Sequence, residues 1–167
     1  MELWDAYDRR GQKTGATLIR GEPIPAGLYH LVCEVVVRHA DGDFLLLQRD
    51  PAKEAYPGWW EIGAGGSALQ GEDPDDGARR ELWEESGIEA SVLRPLYQVI
   101  DDRTGSIYHG YCCVTDCDKS SVRLQAGETA AFRWISREEF LLFYDSDGCI
   151  PSQKPRLSGL IALLRQE

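Results

Sequence analysis

One stretch of this chain, residues 66–88, leaves less freedom of fold and chemistry than any other. It reads Gly66, five residues, Glu72, seven residues, Arg80-Glu81-Leu82, one residue, Glu84-Glu85, one residue, Gly87-Ile88. Asp73 suits the N-cap of a helix and Pro74 its first position, while Asp75 and Asp76 add charge to a first turn where the dipole favours it. Gly87 suits the C-cap. A helix advances about 100° per residue, so Glu81 and Glu85 lie about 40° apart and Glu84 about 60° to the other side of Glu81. Carboxylates sharing one helical face raise one another's pKa, so they need cations to stay ionised. Their oxygens are hard ligands suited to Mg²⁺ or Mn²⁺, ions that take further ligands from phosphates. An E-x-x-E-E run alone is an ordinary solvated face; the spacing around it is what points to chemistry. Arg80 stands four residues before Glu84, the spacing of a helical salt bridge. Gly65 and Gly66 let the backbone approach a ligand closely.

Charge narrows the partners. The chain carries 18 Lys+Arg against 28 Asp+Glu, a net charge of −10. Duplex DNA or RNA binding, which rests on cations neutralising phosphates, is therefore not expected. A small phosphorylated ligand is compatible, because metals held by carboxylates turn an acidic pocket into an anion site. The cysteines, Cys33, Cys112, Cys113, Cys117 and Cys149, show no paired zinc-knuckle spacing and read as reduced thiols. Residues 1–10 lack the apolar run of a secretory signal, and no stretch approaches the ~20 apolar residues that span a bilayer. A cytoplasmic protein with no membrane partner is the expectation, and the oligomeric state stays open, a homodimer included.

The 167 residues, 43% of them hydrophobic, contain no repeat or linker and are expected to form one α/β domain over 1–167. Residues 3–7 and 17–20 flank a turn-prone Asp8-Arg9-Arg10-Gly11 and read as a hairpin within an N-terminal segment of about 1–28. Asp41-Gly42 joins strands at 29–38 and 44–48. Residues 50–70, rich in Pro and Gly, read as loop around a short strand at 60–62. Strands follow the helix at 92–100, 107–114 and 131–135, with later helices near 137–144 and 157–165.

The pattern over residues 66–88 matches the Nudix box at every defined position. Seven fixed residue types at ~7% usage each give a chance match on the order of one in 10⁸ at a given start. The chain thus resembles Nudix hydrolases, which implies an α/β/α sandwich with a mixed sheet and hydrolysis of a diphosphate by metal-assisted attack of water. The resemblance implies that Glu81, Glu84 and Glu85 hold Mg²⁺ or Mn²⁺ together with a carbonyl at Gly66. It further implies that Arg80 orients the glutamates and that Glu72 lies in a loop under the helix.

Gln48-Arg49, Lys53 and Pro57-Gly58-Trp59-Trp60-Glu61 resemble the Nudix branch related to isopentenyl-diphosphate isomerase, which makes Arg49 and Lys53 candidate diphosphate contacts. Where that isomerase carries a catalytic cysteine and a metal-binding histidine, this chain has Ile62-Gly63-Ala64-Gly65-Gly66-Ser67, with neither. Hydrolysis is therefore favoured over protonation of an alkene, which needs an acid at that place. The general base is open between a box glutamate and Glu128, where the family often places an acidic residue. Tyr56, Trp59 and Trp60 are candidates for stacking a nucleobase. His30, His39 and His109 show no ligand spacing. The expected substrate is a small organic diphosphate, a nucleoside derivative foremost. The alternatives are an isomerase-like enzyme and a nucleotide-sensing module.

Overall fold

The computed structural model describes residues 1–166. Strands β1 (Leu3–Tyr7) and β2 (Lys13–Ile19) form a separate antiparallel hairpin. The second strand begins four residues earlier than the sequence suggests. Its start is set by the turn: the Asp8 carboxylate accepts from the backbone N–H groups of Arg10 and Gln12 at 2.8 and 3.0 Å. Trp4, Ala6 and Leu18 give the hairpin its own small core, against which Ile24 and Leu28 pack.

The main sheet is built on β3 (His30–His39), an apolar strand that pairs in parallel with β8 (Ser106–Thr115) from His30↔Ser106 to His39↔Thr115. Its order is β5 (Trp60–Ile62), β4 (Phe44–Arg49), β3, β8, β7 (Leu93–Asp101). Strand β6 (Ala64–Ser67) pairs with β3, and β9 (Thr129–Ile135) with β4. All pairs but β3–β8 are antiparallel, so the sheet is mixed.

Residues 64–67, read as loop, are therefore a strand. The run from β5 to β6 leaves β4 and joins β3 at Gly63, where φ is +73° and a Cβ would sit 1.8 Å from the Val35 carbonyl oxygen. Only glycine makes that crossing.

Helix α1 (Pro74–Ser86) covers one face. Asp73 caps it by accepting from Asp76 N–H, and Gly87 closes it with φ +69°, as the sequence predicts. Ala78 and Leu82 anchor it on Cys33, Val35, Leu45 and Leu47. Helices α2 (Arg137–Asp145) and α3 (Gln153–Leu164) cover the other face, where Phe140, Leu157 and Ile161 pack on Val36, Phe44 and Leu46. The layers are α/β/α. Helix α3 starts four residues before the sequence expectation and takes Pro155 into its first turn, where a missing N–H is tolerated. Among the described residues, no helix is long and apolar enough to cross a membrane.

Candidate active site

With Ala78 and Leu82 buried beneath it, α1 turns its acidic face toward β6 and the loops beyond. Glu85 is only 5% exposed, and one of its oxygens accepts the Gly65 N–H at 3.0 Å. Burial pushes its carboxyl well above the usual range, and the nearby Glu61 and Glu81 push the same way. Glu81 is also raised, by burial first, with the Arg80 contact opposing. Glu84 is more exposed.

Arg80 organises this face. Its Nε and Nη2 donate to the two Glu72 oxygens at 2.7 and 3.0 Å, and Nη2 also donates to the Ser67 carbonyl at 3.0 Å. Its Nη1 donates to Glu81 at 2.8 Å and Glu84 at 3.1 Å. The fork is saturated. Burial opposes the charge, but these partners outweigh it and hold the guanidinium above its ordinary value. Glu72 in turn accepts the Leu69 N–H at 2.8 Å, which fixes the loop under the helix.

Gly66 lies against Glu81. A Cβ there would come within 2.5 Å of the Glu81 carboxyl carbon, so glycine is what lets β6 backbone and carboxylate share this space. A cavity of about 300 Å³ opens at this point, walled by Glu81, Glu84, Glu85, Gly65, Gly66 and Arg80. Arg49, Lys53 and Glu128 reach it from the loops, so the structure brings nearly all sequence-derived candidates together. Arg49 sits on Glu61 at 3.1 Å and donates to the Ala55 carbonyl at 2.9 Å. Lys53 is ion-paired with Glu128.

The tryptophans fall elsewhere. Strand alternation sends Trp60 to the α2/α3 face, where the Arg133 guanidinium lies 4.3 Å from its ring centre, and Trp59 packs at a tilt on Tyr56. Neither is among the residues lining the cavity.

Four residues escaped the sequence reading. Glu61 stands beside Arg49 and is pushed up to about 7, chiefly by burial, with Arg49 opposing. Period-two alternation next to Trp60 was its signal. Glu34 is a lone acid in an apolar strand, also a readable signal; it is clamped by Arg156 at 2.6 and 2.7 Å and by the Tyr97 hydroxyl at 2.6 Å. Glu2 and Arg20, paired at 2.7 Å, come from the hairpin and also line the cavity, with no sequence signal. None of the three histidines lines the cavity; His30 is hydrogen-bonded to Ser106 and Ser67 hydroxyls and stacked on Trp4 at 4.3 Å.

The donor set fits a hard divalent cation, since Glu81 and Glu85 are largely buried and repel each other and, with the more exposed Glu84, offer oxygen only. Among the described residues no three Asp, Glu, His or Cys side chains already converge on one coordination point; the glutamates share a cavity, with Glu81 and Glu84 drawn to Arg80. No cysteine lines the cavity, and burial pushes the Cys33 thiol up to about 12.

An α/β/α sandwich with this box helix over a glycine strand defines a phosphoanhydride hydrolase class. The NUDIX domain family model matches residues 28–151. An uncharacterised Nudix hydrolase of Listeria monocytogenes is 34% identical over 158 residues, 90% of this chain and 89% of the relative. An isopentenyl-diphosphate Delta-isomerase of Salmonella heidelberg is 27% identical over 110 residues, 63% of this chain and 61% of the relative. A crystal structure from Deinococcus radiodurans superposes with a TM-score of 0.73 at 22% identity, over 99% of this chain and 98% of that one. The chain belongs to the Nudix family and is a Nudix hydrolase.

Proposed function

We propose that this hydrolase cleaves the phosphoanhydride bond of a small organic diphosphate, a nucleoside derivative foremost, with Mg²⁺ or Mn²⁺. One observation carries the reading: the box glutamates and Gly66 wall a single cavity that Arg49 and Lys53 also enter. Glu81, Glu84 and Glu85, with the Gly66 carbonyl, are the ligands that would hold the cation. When bound, such a cation supplies positive charge against the charge developing on phosphorus and acidifies water.

The remaining work falls to side chains. Arg80 keeps Glu81 and Glu84 in place through its fork, while Gly65 N–H holds Glu85. Arg49 and Lys53 orient the phosphates, each giving up part of its present ion pair to do so. Glu128 takes the proton from the attacking water: it lines the cavity with its side chain 32% exposed, whereas Glu85 is enclosed. The intact box favours turnover over nucleotide sensing, and the net charge of −10 favours a small substrate over a nucleic acid polymer.

The test is hydrolysis of a panel of nucleoside diphosphate derivatives with Mg²⁺, with Mn²⁺ and with chelator. Turnover should vanish on chelation. Glu85→Gln should lower it by at least about a hundredfold with the fold intact. Full turnover in metal-free protein, or near wild-type turnover by Glu85→Gln, would contradict the proposal.

A further inference from the structure

The box helix supports β6 from one face of the sheet, and a second group of residues supports it from the other. Tyr97, Gly110, Glu34 and Gly65 stand in one row across β7, β8, β3 and β6. Large and small residues alternate along that row. A Cβ at Gly110 would sit 2.1 Å from Tyr97 Cζ, and one at Gly65 would sit 3.2 Å from Glu34 Cγ, so each large side chain lies over the glycine beside it. At Gly66, the next residue, the neighbour in that place is Glu81. Successive residues of a strand face opposite sides, so β6 passes between two carboxylates, Glu34 on the α3 face and Glu81 on the α1 face.

Each of these carboxylates has its own arginine. Arg80 donates to Glu81, while Arg156 of α3 donates to both Glu34 oxygens at 2.6 and 2.7 Å, with the Tyr97 hydroxyl adding a third bond at 2.6 Å. Arg156 Nη1 is held in turn by the Ser152 carbonyl at 2.7 Å. Gln153, in the same first turn of α3 and buried, acts on β5. Its Oε1 accepts the Ile62 N–H at 3.1 Å, and its Nε2 donates to the Ile62 carbonyl at 3.4 Å. Among the described residues β4 is the only strand paired with β5, and the Gln153 amide serves Ile62 as a further strand would.

The segment needs such support. Ala64-Gly65-Gly66-Ser67 has little strand propensity, and the Gly63 crossing just before it leaves the backbone free to turn. The site depends on that backbone, because Gly65 N–H holds Glu85 at 3.0 Å and the Gly66 carbonyl is the proposed cation ligand.

We infer that Gln153 and Arg156 are positioning residues for the catalytic cavity: from the far face of the sheet they fix the β5–β6 backbone that holds Glu85 and would hold the cation. Both lie beyond residues 28–151, the span that the family model matches, so this clamp is no part of the box. The inference rests on the metal reading above.

Substrate-free protein tests it through Mn²⁺ binding, read from the electron paramagnetic resonance of the free ion, together with amide exchange over residues 62–67. Gln153→Met keeps length and removes both bonds to Ile62, and Arg156→Met removes the grip on Glu34. Each should weaken Mn²⁺ binding at least about fivefold and speed exchange over 62–67, since the groups that orient metal ligands carry a large share of metal affinity. Arg156→Lys, which leaves a cation on Glu34, should bind Mn²⁺ within about twofold of wild type. Should Arg156→Met not fold because it strands a buried charge, Glu34→Gln with Arg156→Met removes that charge and should show the same loss. Leu164→Ala empties a buried position at the other end of α3; it should lower the melting temperature yet leave Mn²⁺ affinity within about twofold. Mn²⁺ affinity near wild type in Gln153→Met and in the double variant, or a loss in Leu164→Ala as large as theirs, would overturn the inference. Wild-type protein that binds no Mn²⁺ would overturn the metal reading along with it, a result distinct from equal binding by wild type and variants.

Discussion

Glu85, Glu81 and Glu61 all hold their protons more tightly in the folded chain than carboxylates in water, with burial the first cause for each. The folded state therefore binds more protons than the unfolded one above the usual value near 4.5. Stability is fully present below that value and is lost as pH rises through the folded values, Glu61's being about 7. Metal-free protein should melt at a lower temperature at pH 8 than at pH 5. Glu85→Gln should raise the pH 8 melting temperature, and added Mg²⁺ should stabilise more at pH 8 than at pH 5. A melting temperature independent of pH and metal would contradict this electrostatic account. Gly66 gives a second expectation at this scale. Gly66→Ala places a Cβ against the flexible end of Glu81, so the carboxylate yields before the strand does. Activity should fall by at least about tenfold while urea stability changes by no more than about 1 kcal/mol. Loss of both in proportion would show that Gly66 matters to folding alone.

The hairpin β1–β2 is joined to the box loop through Gln70 N–H to the Leu3 carbonyl at 2.8 Å and Gly71 N–H to Asp5 at 3.0 Å. It also leans on His30 through Trp4. Burial pushes His30 down to about 4 from its usual 6.5. A base buried in neutral form contributes stability above its unfolded value, and that contribution is lost as pH falls through the folded one. Hydrogen-exchange protection of β1 and β2 should therefore drop more than that of α2 between pH 7 and pH 4; equal losses would refute the coupling. Elements differed in how far they could be read. Helix α1 was legible at both ends because each end carries its own cap, Asp73 and Gly87, independent of tertiary contacts. Strand β6 was not, because Ala64-Gly65-Gly66-Ser67 has no strand propensity of its own and takes its form from β3. The face of Trp60 was settled by pairing with Gln48 rather than by its neighbours Pro57 and Gly58.

At the scale of the molecule, the acidic cavity was readable from one helix, since its glutamates stand on consecutive turns. Arg49, Lys53 and Glu128 were named through the family resemblance, whereas Glu2 and Arg20, which arrive from the hairpin, were not read at all. Lys53 and Glu128 meet across 75 residues, and outside this cavity Glu34 meets Arg156 across 122. No local pattern encodes such meetings, which are made by the sheet order. That same order sets a second cleft of about 560 Å³ beside the cavity, with Arg49 and Gly65 lining both. In the proposed hydrolysis, water attacks phosphorus in that cavity. The most direct measurement is turnover of the best substrate from the diphosphate panel in ¹⁸O-water, with both products weighed by mass spectrometry. One solvent oxygen should appear on one phosphate product, and its position identifies the phosphorus attacked. Conversion of isopentenyl diphosphate to its isomer, with no phosphate released and no label incorporated, would contradict the account.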